Sequence, residues 1–264
     1  MPKPDKSKSD KSNIDQPKSN KQRLDLLMVE QGLADSREKA QALIMAGLVF
    51  ADEQKLTKAG HRIDKAIMLR LKGKDHPYVS RGGVKLAGAL DHFSQCDPGG
   101  VIAIDVGAST GGFTDVLLRR GAAKVYAVDV GHGQLDWSLR NDDRVVVLER
   151  TNARYLTDEH IPEPVDMVVC DASFISLTKV LPASLERVRS GGMLAALIKP
   201  QFEVGRGQVG KGGVVRDPAL HQAVQDEISA WLTNLMQWQV IGIIASPIKG
   251  PEGNREFIIV ATKP

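Results

Sequence analysis

Two lysines and two carboxylates, Lys85, Asp171, Lys199 and Glu256, lie far apart in the chain yet fall at one edge of the sheet that its pattern implies. Asp171 and Lys199 each follow an apolar run that reads as a strand, at 165–170 and 192–198. Glu256 begins the last apolar run and reaches the same edge if that strand is antiparallel. Lys85 sits near the start of a helix that must run back against the first strand. Such a set suits activation of a weak nucleophile, such as a ribose 2′-hydroxyl. A lysine amine becomes a usable base when burial and a neighbouring ammonium lower its pKa. Lys199 is expected to take the proton, with Asp171 orienting it beside the reacting group. Lys85 would hold the hydroxyl oxygen and Glu256 would fix Lys85. Alignment of the reacting atoms would supply the rest.

A second group of residues could hold a nucleoside. Asp105-Val-Gly-Ala-Ser-Thr-Gly-Gly112 follows the strand-like run Val101–Ile104 and opens a helix. Its glycines let backbone approach a ligand and adopt dihedrals closed to other residues. Asp129 ends the next strand, 124–129, where an acid suits a ribose hydroxyl pair. The spacing is G-x-x-x-G-G rather than the dinucleotide G-x-G-x-x-G, and a carboxylate beside it would serve a pyrophosphate poorly and an ammonium well. S-adenosylmethionine is therefore the expected cofactor, with a nicotinamide or flavin dinucleotide and an unliganded turn as alternatives. Contacts are expected from Asp105, Gly107, Ala108, Ser109, Gly111, Gly112, Asp129 and Asp171.

The elements that must position these residues make a chain of three parts. Residues 1–21 are rich in Lys, Ser, Asp and Pro, and are expected to be a disordered basic tail. Residues 22–74 read as a small α+β unit. Leu24, Leu27 and Met28 mark a helix stopped by Gly32; Asp35-Ser36 caps another, with Ala40, Leu43 and Ile44 on its apolar face, ending at Gly47. Val49, Ile63, Ile67, Leu69 and Leu71 supply short strands. Residues 75–264 read as an α/β domain. A helix runs from Ser80 to Phe93, strands lie at 101–105, 124–129, 144–148, 165–170, 192–198, 240–245 and 256–261, and a long helix occupies 218–238. Seven strands imply a Rossmann-like methyltransferase sheet. Arg206, Lys211 and Arg216 border a glycine-rich loop, 205–213, read as a flap over the substrate. His132 is expected to be a turn residue, and Trp231 and Trp238 core residues.

Charge is uneven. Residues 1–23 hold seven Lys/Arg and three Asp, and residues 86–264 hold seventeen Lys/Arg against twenty-one acids. Basic character at the N-terminal side suggests a nucleic-acid partner. No stretch approaches the ~20 apolar residues of a membrane span, and residues 1–22 lack the apolar core of a secretory signal. Cys96 and Cys170 have no zinc or redox spacing, so both should be buried reduced thiols. These features lead us to expect a cytoplasmic protein with no membrane contact, no metal and no stable protein partner.

Arg23-Leu-Asp-Leu-Leu-Met-Val-Glu-Gln-Gly-Leu, Ser36-Arg-Glu-Lys-Ala and Leu43-Ile-Met-Ala-Gly-Leu-Val resemble the S4 RNA-binding domain. That resemblance implies RNA contacts from Arg23, Arg37 and Lys39, made largely to phosphates and RNA shape. Asp52-Glu53 departs from the usual Asn-Gly there. The segments Tyr78–Lys85, Asp105–Thr114, Val128–Leu135, Asp171–Ser176, Ile198–Glu203 and Gly253–Glu256 resemble FtsJ-like 2′-O-ribose methyltransferases, which use a Lys-Asp-Lys-Glu set. The whole chain looks like the TlyA family of rRNA methyltransferases, also labelled haemolysins. The resemblance implies that Asn152 lies near the adenine, and that the target is a cytidine of ribosomal RNA at the subunit interface, flipped from its stack. Arg206 and Lys211 would join the RNA contacts. Because the chain stops at Pro264 without a further helix, 23S rRNA is favoured over 16S. The alternatives are a non-catalytic RNA-binding factor for ribosome assembly and a pore-forming haemolysin.

Overall fold

The computed structural model describes residues 20–34, 36–52, 54–71, 76–250 and 253–264. The chain divides into two compact units, 1–75 and 76–264. Most of the expected tail, and the junction after Leu71, lie outside the described residues. Lys21, placed in the tail by composition, instead opens a strand.

In the first unit, β1 (Lys21–Arg23) pairs antiparallel with β4 (Arg62–Asp64), while β2 (Val49–Ala51) lies between β3 (Gln54–Lys55) and β5 (Leu69–Leu71). Helix α1 (Leu24–Glu30) buries Leu24, Leu27 and Met28, the i, i+3, i+4 face expected of it. Helix α2 (Arg37–Met45) begins where Ser36 Oγ accepts the Lys39 amide at 3.2 Å. Both helices bury their apolar faces against Val49, Ile63 and Leu69. Ile67 lies in the turn between β4 and β5 rather than in a strand.

The second unit is built on a seven-stranded sheet in the order β11-β12-β10-β9-β6-β7-β8. Its strands are β6 (Ile102–Val106), β7 (Lys124–Val128), β8 (Val145–Leu148), β9 (Val165–Cys170), β10 (Val188–Ile198), β11 (Gln239–Ala245) and β12 (Phe257–Thr262). Only β12 runs against its neighbours, pairing antiparallel with both β10 and β11. Alternate residues feed two cores. Ile104, Val128, Val168 and Ile198 face Val224, Ile228 and Leu232, whereas Ala103, Ala127, Val169 and Leu197 face Leu86, Phe113 and Leu117.

The helices are α3 (Gly82–His92), α4 (Gly112–Arg119), α5 (Trp137–Arg140), α6 (Leu177–Val180), α7 (Pro182–Glu186), α8 (Pro200–Glu203) and α9 (Pro218–Ala230). The long helix expected over 218–238 ends early: a π turn at Trp231–Leu235 breaks its register, and Gln237 adopts a positive φ before β11. Trp238 is buried and Trp231 packs against the same core. Strand β10 starts four residues before its apolar run, because Val188 pairs with Val165 across an irregularity that ends at Met193. Both cysteines are buried and free, and burial pushes each thiol up to about 12. Among the described residues, no helix is long and apolar enough to cross a membrane, and no cluster of side chains is suited to a metal ion.

Candidate active site

The parallel strands present their carboxyl ends along one edge, and the antiparallel β12 brings its beginning to that edge. Glu256, one residue before β12, thereby meets Lys85 from the first turns of α3. Their contact is 2.7 Å between Lys85 Nζ and Glu256 Oε2. Lys199, one residue past β10, places Nζ 2.6 Å from Asp171 Oδ1. It also donates to the Asp171 carbonyl at 3.0 Å and to Ser173 Oγ at 2.8 Å. Lys85 Nζ lies 3.6 Å from the other oxygen of Asp171. The four residues expected to meet therefore form one chain of contacts, Glu256–Lys85–Asp171–Lys199. All but Asp171 are nearly sealed from solvent. Burial makes Lys85 and Glu256 depend on each other: removing one partner of such a pair costs roughly 3–5 kcal/mol.

The glycine turn lies beside Asp171. Gly107 has φ +79°, and a Cβ there would press to 3.0 Å of the Ala172 Cα. Gly111 has φ +92° and caps α4, with no room for a side chain against Leu135 and Leu139. The turn thus needs glycine for both conformation and space. Asp129 ties it to the next strand, its Oδ2 accepting the Ser109 amide at 2.8 Å and its Oδ1 the Gly131 amide at 2.6 Å. Asp105 is fully buried and accepts from the Thr114 amide and hydroxyl at 2.9 and 2.7 Å, while its Oδ1 has no protein partner. Burial pushes its carboxyl up to about 7, against the lowering effect of Thr114.

Three cavities meet at this edge. One of about 490 Å³ is lined by Gly107, Ser109, Asp129, Asn152, Asp171 and Phe174. Another, of about 290 Å³, is lined by Ala108, Gly112, Ser80, Lys85, Ser173 and Lys199. The last, about 380 Å³, has Phe174, Gln201, Phe202 and Asn254 around Lys199 and Glu256. Asp105 lines none of these and sits beneath the glycine turn. Asn152 lines the first, and its Oδ1 accepts the Arg154 amide at 3.1 Å.

An adenosylmethionine fits these groups. The first cavity is of cofactor size, the turn at Gly107 is one where a side chain would be strained and crowded against Ala172, and a buried acceptor on Asp105 has no partner. The Asp129 carboxylate is fixed by two amides where a ribose would lie.

Several side chains at the site went unassigned in the sequence. Ser173 accepts from Lys199, and Phe174, with φ +66°, is 89 % exposed and packs 5.0 Å from the Phe202 ring. Their signal was adjacency to Asp171. Asn254 is buried, accepts from the Val215 amide and donates to the Gly213 carbonyl. It moors the end of the glycine-rich loop, and no local pattern announces that. Arg206 and Lys211 begin two short 3₁₀ turns of this loop.

In the first unit Arg23 and Arg37 both reach the buried carboxylate of Asp25, at 2.9 Å each. Gln41 completes the set at 3.0 Å. Lys39 is exposed on α2.

Comparison with known proteins agrees with this geometry. Residues 78–263 match the FtsJ-like methyltransferase model and residues 22–66 the S4 domain. The 16S/23S rRNA (cytidine-2′-O)-methyltransferase TlyA of Mycobacterium tuberculosis is 49 % identical over 238 residues, 90 % of this chain and 88 % of that one. Hemolysin A of Brachyspira hyodysenteriae is 40 % identical over 89 % of this chain and 98 % of its own. A Streptococcus thermophilus structure bearing the hemolysin name superposes with a TM-score of 0.72 at 44 % identity, covering 92 % of this chain and 89 % of that one. S-adenosylmethionine is the cofactor. The chain belongs to the TlyA family, an S4 domain joined to an FtsJ-like methyltransferase domain.

Proposed function

We propose that this protein is a methyltransferase acting on the 2′-hydroxyl of a cytidine in ribosomal RNA at the subunit interface, with 23S rRNA the expected target. The observation that carries the reading is the Glu256–Lys85–Asp171–Lys199 chain of contacts opening onto a cofactor-sized cavity. When bound, S-adenosylmethionine supplies an electrophilic methyl group on sulfur. Asp129 would hold its ribose, the 107–112 turn its methionine part and Asn152 its adenine edge. Asp105 would answer its ammonium charge from beneath the turn.

Lys199 takes the proton of the attacking hydroxyl at Nζ. As an amine it keeps two donors for the carboxylate and carbonyl of Asp171, and its lone pair takes the third position, through which the ammonium donates to Ser173 Oγ. Asp171 then stabilises the ammonium that forms. Lys85, anchored by Glu256, holds the hydroxyl oxygen and balances the charge that develops on it. Phe174 and Phe202 border the space in which an unstacked base would lie. Arg23, Arg37 and Lys39 bind RNA phosphates, with Arg206 and Lys211 contributing from the glycine-rich loop.

Mass spectrometry of rRNA from a deletion strain tests this. One 2′-O-methylcytidine should disappear and return with the wild-type gene. An unchanged 2′-O-methyl inventory in both subunits would refute the reading. Both must be assayed, since the M. tuberculosis relative carries 16S and 23S in its name.

A further inference from the structure

We propose that Glu149 is a positioning residue for the cofactor, fastening the loop after β7 so that Asp129 and Gln134 face the first cavity. Glu149 follows β8 and lines none of the three cavities. Its carboxylate nevertheless gathers donors from two other elements. Oε1 accepts the Gly133 amide at 2.8 Å, Oε2 meets His132 Nδ1 at 2.8 Å, and Arg140 of α5 contacts Oε1. The Arg140 guanidinium, helped by the Gly133 amide, holds this carboxyl below the usual range.

The fastened loop is the one that shapes the ribose side. Gly131 donates to Asp129 Oδ1, and Ser109 Oγ reaches Gln134 Oε1 at 3.3 Å. The strand end contributes two further bonds, Arg150 N–H to the Gly131 carbonyl and Thr151 N–H to that of Asp129. Beyond them, His132 stands between two glycines, which gain most freedom when released. Without Glu149 the Gly133 amide and Arg140 lose a charge-assisted partner, and the cost of ordering the loop falls on ligand binding. His132 and Glu149, 17 residues apart, are thereby parts of one device.

This inference rests on reading the first cavity as the adenosine side of the donor. Calorimetry on the full chain, with S-adenosylmethionine and with 5′-methylthioadenosine, which lacks the amino-acid tail, tests both. Glu149→Ala should weaken both ligands by a similar factor, about tenfold, and leave kcat at saturating donor within about twofold. Glu149→Gln, which keeps an acceptor for Gly133, should recover most of that affinity and also guards against a failure of the alanine variant to fold. Unchanged affinity in both variants, or an equal fall in kcat at saturation, would overturn the role of Glu149. If the wild-type chain binds neither ligand, the reading of the cavity fails instead.

Discussion

Both units set cations around a carboxylate, and they differ in what they do with the cations. In the S4 unit Asp25 is fully buried while Arg23 and Arg37 stay 39 % and 48 % exposed. In the methyltransferase unit Lys85 and Lys199 are 6 % and 7 % exposed around Asp171. Arginine keeps its charge in any setting and offers a planar fork of donors, which suits a phosphate met at the surface. Lysine presents a compact ammonium that, once buried, can serve a proton transfer at Lys199 and hold a developing negative charge at Lys85. The same ingredients thus make a grip in one place and a reaction site in the other.

The sharpest way to break that contrast is to remove a buried lysine. Lys199→Met should lower kcat by about 10²–10⁴-fold and leave the calorimetric affinity for S-adenosylmethionine within about threefold. Lys85→Met should lose a comparable factor, since Glu256 is then left buried without its cation. A loss of cofactor affinity alone would mean that the lysines serve binding rather than proton transfer.

On the S4 side a smaller and less obvious effect is expected. Asp25→Asn removes one negative charge, yet it frees Arg23 and Arg37 from their anchor, so RNA affinity should fall by about three- to tenfold. Arg37→Ala should weaken binding to all sequences alike and reduce the salt slope by about one. Tighter binding by the Asp25 variant in filter-binding assays would show that charge alone matters there.

Asp25 and Asp105, both fully buried, should respond to pH in opposite directions. The Arg23 guanidinium holds the Asp25 carboxyl well below the usual range. Its stabilising contribution is therefore complete above about pH 4, near the unfolded value, and is lost as pH falls further. Burial instead raises Asp105 to about 7 from 3.8. Stability from that group is full below 3.8 and is lost as pH rises to about 7. Asp105→Asn should therefore raise the melting temperature of the cofactor-free protein by a few degrees, more at pH 8 than at pH 5. Equal gains at both pH values would show that Asp105 is not held protonated.

Much of this was legible in the sequence because strand ends are legible. Apolar runs ending in Asp129, Asp171 and Lys199 locate an edge, and only the direction of β12 was needed to add Glu256. The first helices of the S4 unit were readable from Gly32, Ser36 and Gly47, whose turn and cap chemistry is local. Contacts across the fold were not readable. The hold of Asp25 on Arg37, of Asn254 on Gly213 and of Glu149 on Gly133 joins residues whose spacing carries no period. Thr114 closing over Asp105 likewise left that acid outside the cavities. The π turn after Ala230 escaped because Trp231 and Leu232 keep a helical apolar pattern while the backbone register changes.

On the proposed function, the Lys85–Asp171–Lys199–Glu256 contacts carry methyl transfer to a ribose hydroxyl. Single-turnover labelling of unmodified ribosomal subunits with radioactive donor, followed by mapping of the labelled nucleotide, tests it most directly. Wild-type protein should label one cytidine at its 2′-oxygen, and Lys199→Met should label it at least a hundredfold more slowly. Label on a base atom, or an equal rate from Lys199→Met, would contradict the account.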